Sequence, residues 1–314
     1  MSDAIRTQTG EWTTRKLLAW MSDAFVKKGI DSPRLCAELL LAHVIGCDRL
    51  RLYMDADRPA TPLERDTLRD LVARALKHEP VQYLVGEAWF HGLPFHVDRR
   101  VLIPRPSSET LIEQVLLHAR ATPGFGGGPG AGTTLKCEGV AFADVCTGSG
   151  CLAISLLRFM PGARALACDI SEEALEVARK NAERHKVADR IDFLRGDLLA
   201  PLDDHPARGG GLHYIMANPP YVPDEEWDAV PPNVKDFEPH LALRGGPGGM
   251  DLVRRLIIEG GEYLRPGGLI AIELASASAD QALNLAHAQP LLESPRIVTD
   301  HEGKPRVLVA TRKA

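Results

Sequence analysis

The chain has 314 residues, of which 45% are hydrophobic and 25% are charged, and its formal net charge is −5. These proportions are typical of a soluble globular protein with one large domain or two ordinary ones. The acidic balance argues against a broad nucleic-acid-binding surface, and no apolar run approaches the ~18 residues of a membrane span. Met1–Gly10 lacks the layout of a signal peptide, and the six cysteines show no Cys-x-x-Cys spacing. We therefore expect a cytoplasmic protein with reduced thiols, no metal site, and neither a membrane nor a nucleic acid as partner.

The first part of the chain contains the start signals of several helices, which predict a helical module. Thr13 or Thr14 can cap a first helix. Ser32-Pro33 predicts the N-cap and first position of a second helix. Thr61–Glu64 reads Thr-Pro-Leu-Glu, which is a capping box that opens a further helix. These helices carry no evident chemistry, so we expect them to recognise a partner.

After these helices the hydrophobic period changes to that of a strand. Trp89–Phe90 and Phe95–Val97 flank the turn His91–Pro94, which predicts a β-hairpin. We expect this hairpin to link the helical module to the remainder of the chain. Further on, the glycine-rich insert at 124–132 predicts a flexible connector.

From Val140 onward, predicted strands and helices alternate. The strand runs are 140–145, 164–168, 191–194, 214–217, 269–274, 297–299 and 306–310. This alternation indicates an α/β domain with a doubly wound, mostly parallel sheet. Ligands of such sheets bind at the C-terminal ends of the strands. Four polar residues lie at or just beyond such ends, namely Asp144, Asp169, Asp197 and Asn218.

The loop Asp144–Gly150 reads Asp-Val-Cys-Thr-Gly-Ser-Gly and joins the first of these strands to a helix. Its glycines let the backbone pass close to a ligand, and the following helix N-terminus favours a negatively charged group. Together with Ala153 the loop also fits a dinucleotide fingerprint, and Asp169 follows at the distance of an acid that binds a ribose. Two adenosine-containing ligands fit this pattern, a nicotinamide dinucleotide and S-adenosylmethionine.

Asn218–Tyr221, which reads Asn-Pro-Pro-Tyr, directly follows the apolar run 214–217. The two prolines have φ fixed near about −65° and no N–H, so the loop is stiff and its carbonyls are held in place. The side-chain oxygen of Asn218 and the neighbouring carbonyls offer acceptors beside an aromatic ring. Such a loop suits a planar substrate group that carries an NH₂ with two donors. Methyl transfer to a planar nitrogen uses such a loop, whereas hydride transfer does not.

This combination resembles the class I methyltransferases that act on amide or exocyclic amino nitrogens. Within that class it is similar to the glutamine methyltransferases of peptide chain release factors and of a large-subunit ribosomal protein. The resemblance covers nearly the whole chain. It is carried by Trp89–Phe90, Val101–Pro106, Asp144–Gly150, Asp169, Asn218–Tyr221 and Phe237–Pro239.

The resemblance implies a class I (Rossmann-like) methyltransferase domain at 107–314 with a mostly parallel, seven-stranded sheet. It places a helical substrate-recognition domain at 1–86 and a β-hairpin linker at 87–106 before that domain. The implied cofactor is S-adenosylmethionine. The implied partner is a release factor, whose Gly-Gly-Gln motif offers a glutamine side-chain nitrogen for methylation.

The resemblance also implies which residues form the site. The cofactor-binding residues are Asp144, Cys146, Thr147, Gly148, Ser149, Gly150, Asp169, Asp197, Leu198 and Asn218. Among them, Asp169 is expected to hold the ribose, and Asp197-Leu198 the adenine. The catalytic residues are Asn218, Pro219, Pro220 and Tyr221, and these four also bind substrate together with Arg105 and Glu238.

The roles of these substrate-binding residues follow the chemistry of an amide nitrogen. The Asn218 oxygen and the Pro219 carbonyl are expected to hold both N–H groups of the substrate amide, and Tyr221 to pack on its plane. Arg105 and Glu238 either pair with each other or bind substrate backbone.

Other functions remain open at this point. Ser32–Leu40 and Gly303–Arg306 resemble the release-factor enzymes, whereas Cys146–Cys151 and Trp89–Gly92 resemble the ribosomal-protein branch. A methyltransferase of adenine amino groups in DNA presents the same two donors to the loop, but it needs a basic footprint. An NAD-dependent dehydrogenase and a non-catalytic S-adenosylmethionine-binding module are the remaining alternatives. The cofactor that copurifies separates the dehydrogenase from the methyltransferases.

Overall fold

The computed structural model describes residues 11–123, 125, 135 and 137–314. These residues fall into two compact units. One consists of the described part of Met1–Gly86 together with Pro232–Phe237, and the other of the described part of Glu87–Pro231 together with Glu238–Ala314. Of the predicted connector at 124–132 only Phe125 is described; it is buried, and its carbonyl accepts a hydrogen bond from the Tyr214 hydroxyl at 2.8 Å.

The helices and strands are as follows in chain order. The helices are α1 (Thr14–Lys28), α2 (Pro33–Ile45), α3 (Arg49–Met54), α4 (Pro62–Ala75), α5 (Val81–Val85), α6 (Glu109–Ala121), α7 (Cys151–Phe159), α8 (Glu172–Arg184), α9 (Pro232–Lys235), α10 (Asp251–Tyr263) and α11 (Ala279–His287). The strands are β1 (Glu87–Phe90), β2 (Leu93–His96), β3 (Ala141–Val145), β4 (Arg164–Asp169), β5 (Ile191–Arg195), β6 (Leu212–Ala217), β7 (Leu264–Glu273), β8 (Leu292–Thr299) and β9 (Pro305–Arg312).

The first unit contains α1 to α5, and two of its predicted caps are confirmed. The Thr13 side chain accepts a hydrogen bond from the first turn of α1, and Thr61 and Glu64 form a reciprocal capping box on α4. The prediction for Ser32 was wrong in part. Helix α2 begins at Pro33 as expected, but Ser32 has a φ of 50° and makes no capping bond to the described residues. A capping side chain requires extended backbone at that position, and this left-handed conformation directs it elsewhere.

The predicted hairpin is confirmed, with a shorter turn. Strands β1 and β2 pair antiparallel, so that only His91 and Gly92 form the loop. Both have positive φ (49° and 74°), as a two-residue hairpin turn requires. The hairpin packs against α8, where the Asn181 amide bonds both the N–H and the carbonyl of His96 at 2.7 and 2.9 Å. The hairpin is therefore an integral part of the second unit.

The remaining strands form one seven-stranded sheet in the order β5-β4-β3-β6-β7-β9-β8. Neighbouring strands from β5 to β7 are parallel, and β9 is antiparallel to both of its neighbours. This confirms the predicted α/β class I fold. The strand order reverses between β3 and β6, which makes their C-terminal ends the expected ligand position.

One predicted strand boundary in this sheet was wrong. The strand expected at 269–274 begins earlier, because the Pro-Gly-Gly run 266–268 lies within β7 (Leu264–Glu273). The pairing of β6 with β7 shifts register near Leu212 and Tyr214. The run therefore forms an irregularity in a strand, which is a common place for glycine.

The sheet is buried on both faces. Along β6, Tyr214 and Met216 belong to one apolar cluster with residues of α6 and α7, whereas Ile215 and Ala217 belong to a second cluster with residues of α10 and α11. Successive side chains of a strand point to opposite faces. The unbroken apolar run of β6 therefore results from helices covering both sides, and it carries the chain rigidly to Asn218.

Candidate functional site

A cavity of about 420 Å³ lies at the C-terminal ends of β3, β4, β5 and β6. Its volume is within the range of about 300–1,000 Å³ that is usual for small-molecule sites. The residues from the strand ends that line it are Cys146, Thr147, Gly148, Ser149, Asp169, Ile170, Ser171, Gly196, Asp197, Leu198, Asn218 and Pro220. Other parts of the unit contribute Pro104, Ser108, Pro239, His240 and Leu241, among others. The structure thus brings together most of the predicted site residues.

The loop after β3 is tightly folded around its glycines. Gly148 and Gly150 have φ of 53° and 78°. A Cβ on Gly150 would lie 3.1 Å from the Cβ of Ala178 and 3.0 Å from Cδ1 of Ile154, so the loop can approach α8 only with glycine there. Cys146 has a φ of 62°, a left-handed conformation that is costly for a residue with a side chain. This strain beside a cavity was not foreseen from the sequence.

Asp144 holds this loop through hydrogen bonds from its buried side. Its side chain is completely buried, and it is not among the described residues that line the cavity. One carboxylate oxygen accepts from the Thr147 hydroxyl at 2.7 Å and from the Ala153 N–H at 3.0 Å. The other oxygen has no partner among the described residues. Burial raises the pKa of Asp144 to about 7, against the opposing effect of those two hydrogen bonds.

Asp169, the last residue of β4, lies on the cavity wall. Its two oxygens accept from the backbone N–H groups of Gly148 and Ser171, each at 2.9 Å. Burial raises the pKa of Asp169, while these backbone donors oppose the rise. Each carboxylate oxygen has further acceptor capacity. Asp169 can therefore accept hydrogen bonds from vicinal hydroxyl groups while it holds the glycine loop.

The two residues predicted for the adenine differ in their surroundings. Leu198 is buried, has a φ of 49° and offers apolar surface to the cavity. Asp197 also lines the cavity, but its side chain is half exposed and pairs with Arg255 at 2.9 Å. Exposed pairs of this kind contribute little energy. Leu198 is thus the better placed of the two for contact with a flat apolar ring.

Asn218 leaves the end of β6 and faces the cavity, and its side-chain nitrogen donates to the Ser108 hydroxyl oxygen at 3.1 Å. Pro220 also lines the cavity, whereas Gly150, Pro219 and Tyr221 are not among the described lining residues. The Tyr221 hydroxyl donates to the buried carboxylate of Glu273 at 3.0 Å. Tyr221, which was expected to pack on the substrate amide, thus anchors the loop to β7.

A second glycine-rich segment supports this loop and was missed in the sequence. A Cβ on Gly249 would lie 2.1 Å from the Tyr221 carbonyl oxygen, and one on Gly245 would lie 2.8 Å from that of Pro220. The Val222 carbonyl accepts from the Gly245 N–H at 2.9 Å, and the Val222 N–H donates to the Leu243 carbonyl, just before the segment, at 2.8 Å. The Gly-Gly-Pro-Gly-Gly run at 245–249 is a visible signal, but the sequence does not show which loop it contacts.

Arg105 and Glu238 form an ion pair with each other. Glu238 is buried and also accepts from the Ile103 N–H at 3.1 Å. Burial raises the pKa of Glu238, and the Arg105 charge opposes that rise. Neither is among the described lining residues, but their neighbours Pro104 and Pro239 are. The pair therefore fastens together two segments that form the cavity wall.

A metal-binding cluster and a membrane-spanning helix are both absent from the part of the chain that the structure describes. No group of three or more His, Cys, Asp or Glu side chains there is arranged to hold a metal ion. No helix among the described residues is long and apolar enough to cross a membrane.

Comparisons with known proteins agree with this fold. The model of the PrmC N-terminal domain matches residues 16–86, and that of the methyltransferase small domain matches residues 133–233. The fold is similar to that of the hMettl16 catalytic domain, solved in complex with the MAT2A 3'UTR hairpin 6. That similarity has a TM-score of 0.51 at 16% identity, over 79% of this chain and 82% of that one.

Curated relatives match at higher identity. The release factor glutamine methyltransferase of Chlorobaculum tepidum is 42% identical over 275 residues, covering 87% of this chain and 89% of that protein. The release factor glutamine methyltransferase of Rhodopirellula baltica is 35% identical over 297 residues, covering 95% of each. On this similarity along almost its full length, the chain belongs to the family of release factor glutamine methyltransferases.

Proposed function

We propose that this chain transfers a methyl group from S-adenosylmethionine to the side-chain amide nitrogen of a glutamine in a peptide chain release factor. The observation that carries this proposal is the position of Asn218. It lies on the wall of the same cavity as the glycine loop and Asp169. Because Ser108 engages the nitrogen of its amide, the oxygen is the atom that Asn218 offers to a ligand.

The cavity fits the cofactor by the chemistry of its lining. The loop Cys146–Gly150 would surround the methionine part, Asp169 would accept from the ribose hydroxyls, and Leu198 would contact the adenine. S-adenosylmethionine, when bound, supplies an electrophilic methyl group on a sulfonium. The carboxylate of Asp169, held by two backbone N–H groups, is already oriented toward the cavity.

The loop Asn218–Tyr221, here called the acceptor loop, would bind the substrate amide. A carboxamide nitrogen is a weak nucleophile because its lone pair is delocalised. The Asn218 oxygen and the Pro219 carbonyl would accept from its two N–H groups, which orients the nitrogen and favours the positive charge that develops there. Orientation of bound reactants lowers barriers by up to roughly 7–11 kcal/mol in favourable cases. Both acceptors belong to one rigid loop, so little reorganisation is needed.

The partner would be a release factor that presents its Gly-Gly-Gln loop. Two glycines let a backbone bend, so the glutamine side chain can enter a narrow cleft. The helical domain at 1–86 would bind the body of the factor and use that remote binding energy to position the reacting group. The curated relatives are release factor glutamine methyltransferases, which favours this substrate over the ribosomal protein and DNA adenine, and methyl transfer over hydride transfer.

A side-by-side assay with labelled S-adenosylmethionine tests this function. The purified chain is incubated with an intact release factor, with a Gly-Gly-Gln peptide, with the large-subunit ribosomal proteins and with duplex DNA. We expect strong labelling of the intact factor, weak labelling of the peptide and none of the other substrates. Labelling confined to ribosomal protein or to DNA would contradict the proposed substrate. Equal labelling of factor and peptide would contradict the role proposed for the helical domain.

A further inference from the structure

Ser108 is the buried partner of the proposed catalytic amide. It ends the short helical turn Pro106–Ser108 before α6, is 2% exposed and lines the cavity. Its hydroxyl oxygen accepts from the side-chain nitrogen of Asn218 at 3.1 Å. A serine hydroxyl has a single proton. While Asn218 donates to it, that proton is available for a different acceptor.

The acceptor on the other side is Glu273, the last residue of β7. It is completely buried. One of its oxygens accepts from Tyr221 at 3.0 Å and from Ser107 at 3.3 Å, and the other has no hydrogen-bond partner in the geometry of the described residues. That second oxygen is therefore open to the proton of the Ser108 hydroxyl, which adjoins Ser107 in the chain. Burial raises the pKa of Glu273, and this rise is opposed by the hydrogen bond from Tyr221 and by the charge of Arg306. Glu273 thus lies between the start of α6 and the acceptor loop, and it contacts both.

The direction of these hydrogen bonds matters because an asparagine side-chain amide can flip, which exchanges the positions of its oxygen and its nitrogen. The two ends of the amide have nearly the same shape, so neighbouring groups decide which end faces the cavity. If the Ser108 hydroxyl donated a hydrogen bond to Asn218, the amide oxygen of Asn218 would face Ser108. The amide would then present its NH₂ to the substrate NH₂, and two donors would meet. A carboxylate oxygen accepts hydrogen bonds. Where the unpartnered oxygen of Glu273 accepts the hydrogen bond of the Ser108 hydroxyl, Ser108 can only accept from Asn218.

We propose that Ser108 and Glu273 are positioning residues that hold the Asn218 amide with its oxygen toward the substrate. This inference rests on the proposed function, since it concerns how Asn218 receives the glutamine N–H group. Glu273 fixes the Ser108 hydroxyl as a donor toward itself, and Ser108 in turn accepts from Asn218. Neither residue needs to touch the glutamine.

Substitutions at Ser108 and Glu273 should change kcat without changing cofactor binding. Ser108→Ala removes the acceptor for the Asn218 NH₂, so both orientations of the amide become populated. We expect kcat to fall about tenfold, as for the loss of one hydrogen bond to a neutral group, while the Kd for S-adenosylmethionine stays within about twofold. Ser108→Thr keeps the hydroxyl and should recover kcat to within about threefold of wild type. Glu273→Gln, whose NH₂ can face Ser108, should lower kcat in the same way as Ser108→Ala.

Ser107→Ala is the matched control. Ser107 is the neighbouring serine and also contacts Glu273, but its contact is to the carboxylate alone. The kcat of Ser107→Ala should stay within about twofold of wild type. Thermal unfolding of all variants shows whether any loss of activity results from loss of the folded state.

A double-mutant cycle gives the deciding result. Since Ser108 acts through Asn218, Ser108→Ala should cost about tenfold in the wild-type background and nothing further in Asn218→Ala, because residues in direct contact are coupled. Equal losses in both backgrounds, or a Ser108→Ala kcat equal to that of Ser107→Ala, would overturn the positioning role. A wild-type enzyme that leaves release-factor glutamine unmodified would instead overturn the proposed function, and this inference with it.

Discussion

The carboxylate of Asp169 accepts a hydrogen bond from the backbone N–H of Gly148 at 2.9 Å. This bond joins the end of β4 to the glycine loop that follows the neighbouring strand β3. The same carboxylate also accepts from Ser171 at the start of α8. Asp169 therefore has two functions in the proposed site, since it would bind the ribose and it holds the loop around the methionine part.

Removal of Asp169 should weaken cofactor binding. Asp169→Ala loses hydrogen bonds to a charged group that are worth about 1.5–3 kcal/mol each, so we expect at least a tenfold rise in the Kd for S-adenosylmethionine. Isothermal titration calorimetry measures it, and circular dichroism checks that the variant folds. Unchanged affinity would refute the ribose assignment, and tight NAD binding by the parent protein would favour the dehydrogenase.

Asn218 separates chemistry from cofactor binding. Asn218→Ala should leave the Kd for S-adenosylmethionine within a few-fold and lower turnover by roughly a hundredfold, as loss of one preorganised group does. Asn218→Asp should keep partial activity because its oxygen still accepts. Single-turnover kinetics with saturating cofactor measures the effect. If Asn218→Ala turns over at the wild-type rate, the Asn-Pro-Pro-Tyr loop is only structural.

The buried Asp144 makes stability depend on pH. Its folded-state pKa of about 7 lies above the ordinary value of 3.8. Between these values the folded protein keeps a proton that the unfolded chain has lost. The contribution of Asp144 to stability therefore falls as pH rises through this window and is constant above it.

Asp144→Asn removes this titration. The free energy of unfolding of the variant minus that of wild type should therefore increase by about 1.4 kcal/mol per pH unit from about pH 4.5 to about pH 6.5. It should become flat above about pH 7.5. Urea unfolding across this range measures the difference. A difference that does not change with pH would show that Asp144 is ionised in the folded protein.

The glycines behind the acceptor loop offer a matched pair of variants. Gly248 and Gly249 have similar positive φ (64° and 68°), but a Cβ on Gly249 would meet the Tyr221 carbonyl oxygen at 2.1 Å, whereas nothing lies within 4 Å of one on Gly248. Both Gly→Ala changes cost about 1–2 kcal/mol of backbone strain. Only Gly249→Ala should also displace the loop and lower kcat by about tenfold or more. Equal kcat values for the two folded variants would show that the loop does not depend on this support.

The parts of the fold that could be predicted depend on local rules. The capping box Thr61–Glu64 and the strand that ends just before Asn218 follow from short-range patterns, and both are confirmed. The contacts that complete the site could not be predicted in this way. Ser108 and Asn218 are 110 positions apart, and neither serine nor glutamate carries a signal of its partner. The side of the loop that Tyr221 faces depends on Glu273, which lies on a strand whose position in the sheet is set by tertiary packing.

The two short helices α3 and α5 were also not predicted. They have six and five residues, about one and a half turns each, which is too short for an apolar stripe to repeat. Their positions depend on packing within the helical unit, where Leu52 and Leu84 enter the apolar cluster. In the same way, the Pro-Gly-Gly run 266–268 has the composition of a helix stop, and the register of β6 with β7 decides its place in the strand.

Glutamine methylation of a release factor is tested most directly by tandem mass spectrometry of the intact factor after incubation with this enzyme and S-adenosylmethionine. We expect one added methyl group on the side-chain nitrogen of the Gly-Gly-Gln glutamine. At equal cofactor occupancy, Asn218→Ala should leave that glutamine largely unmodified. A methyl group on any other residue of the factor, or an unmodified factor beside a methylated ribosomal protein, would contradict the proposed function.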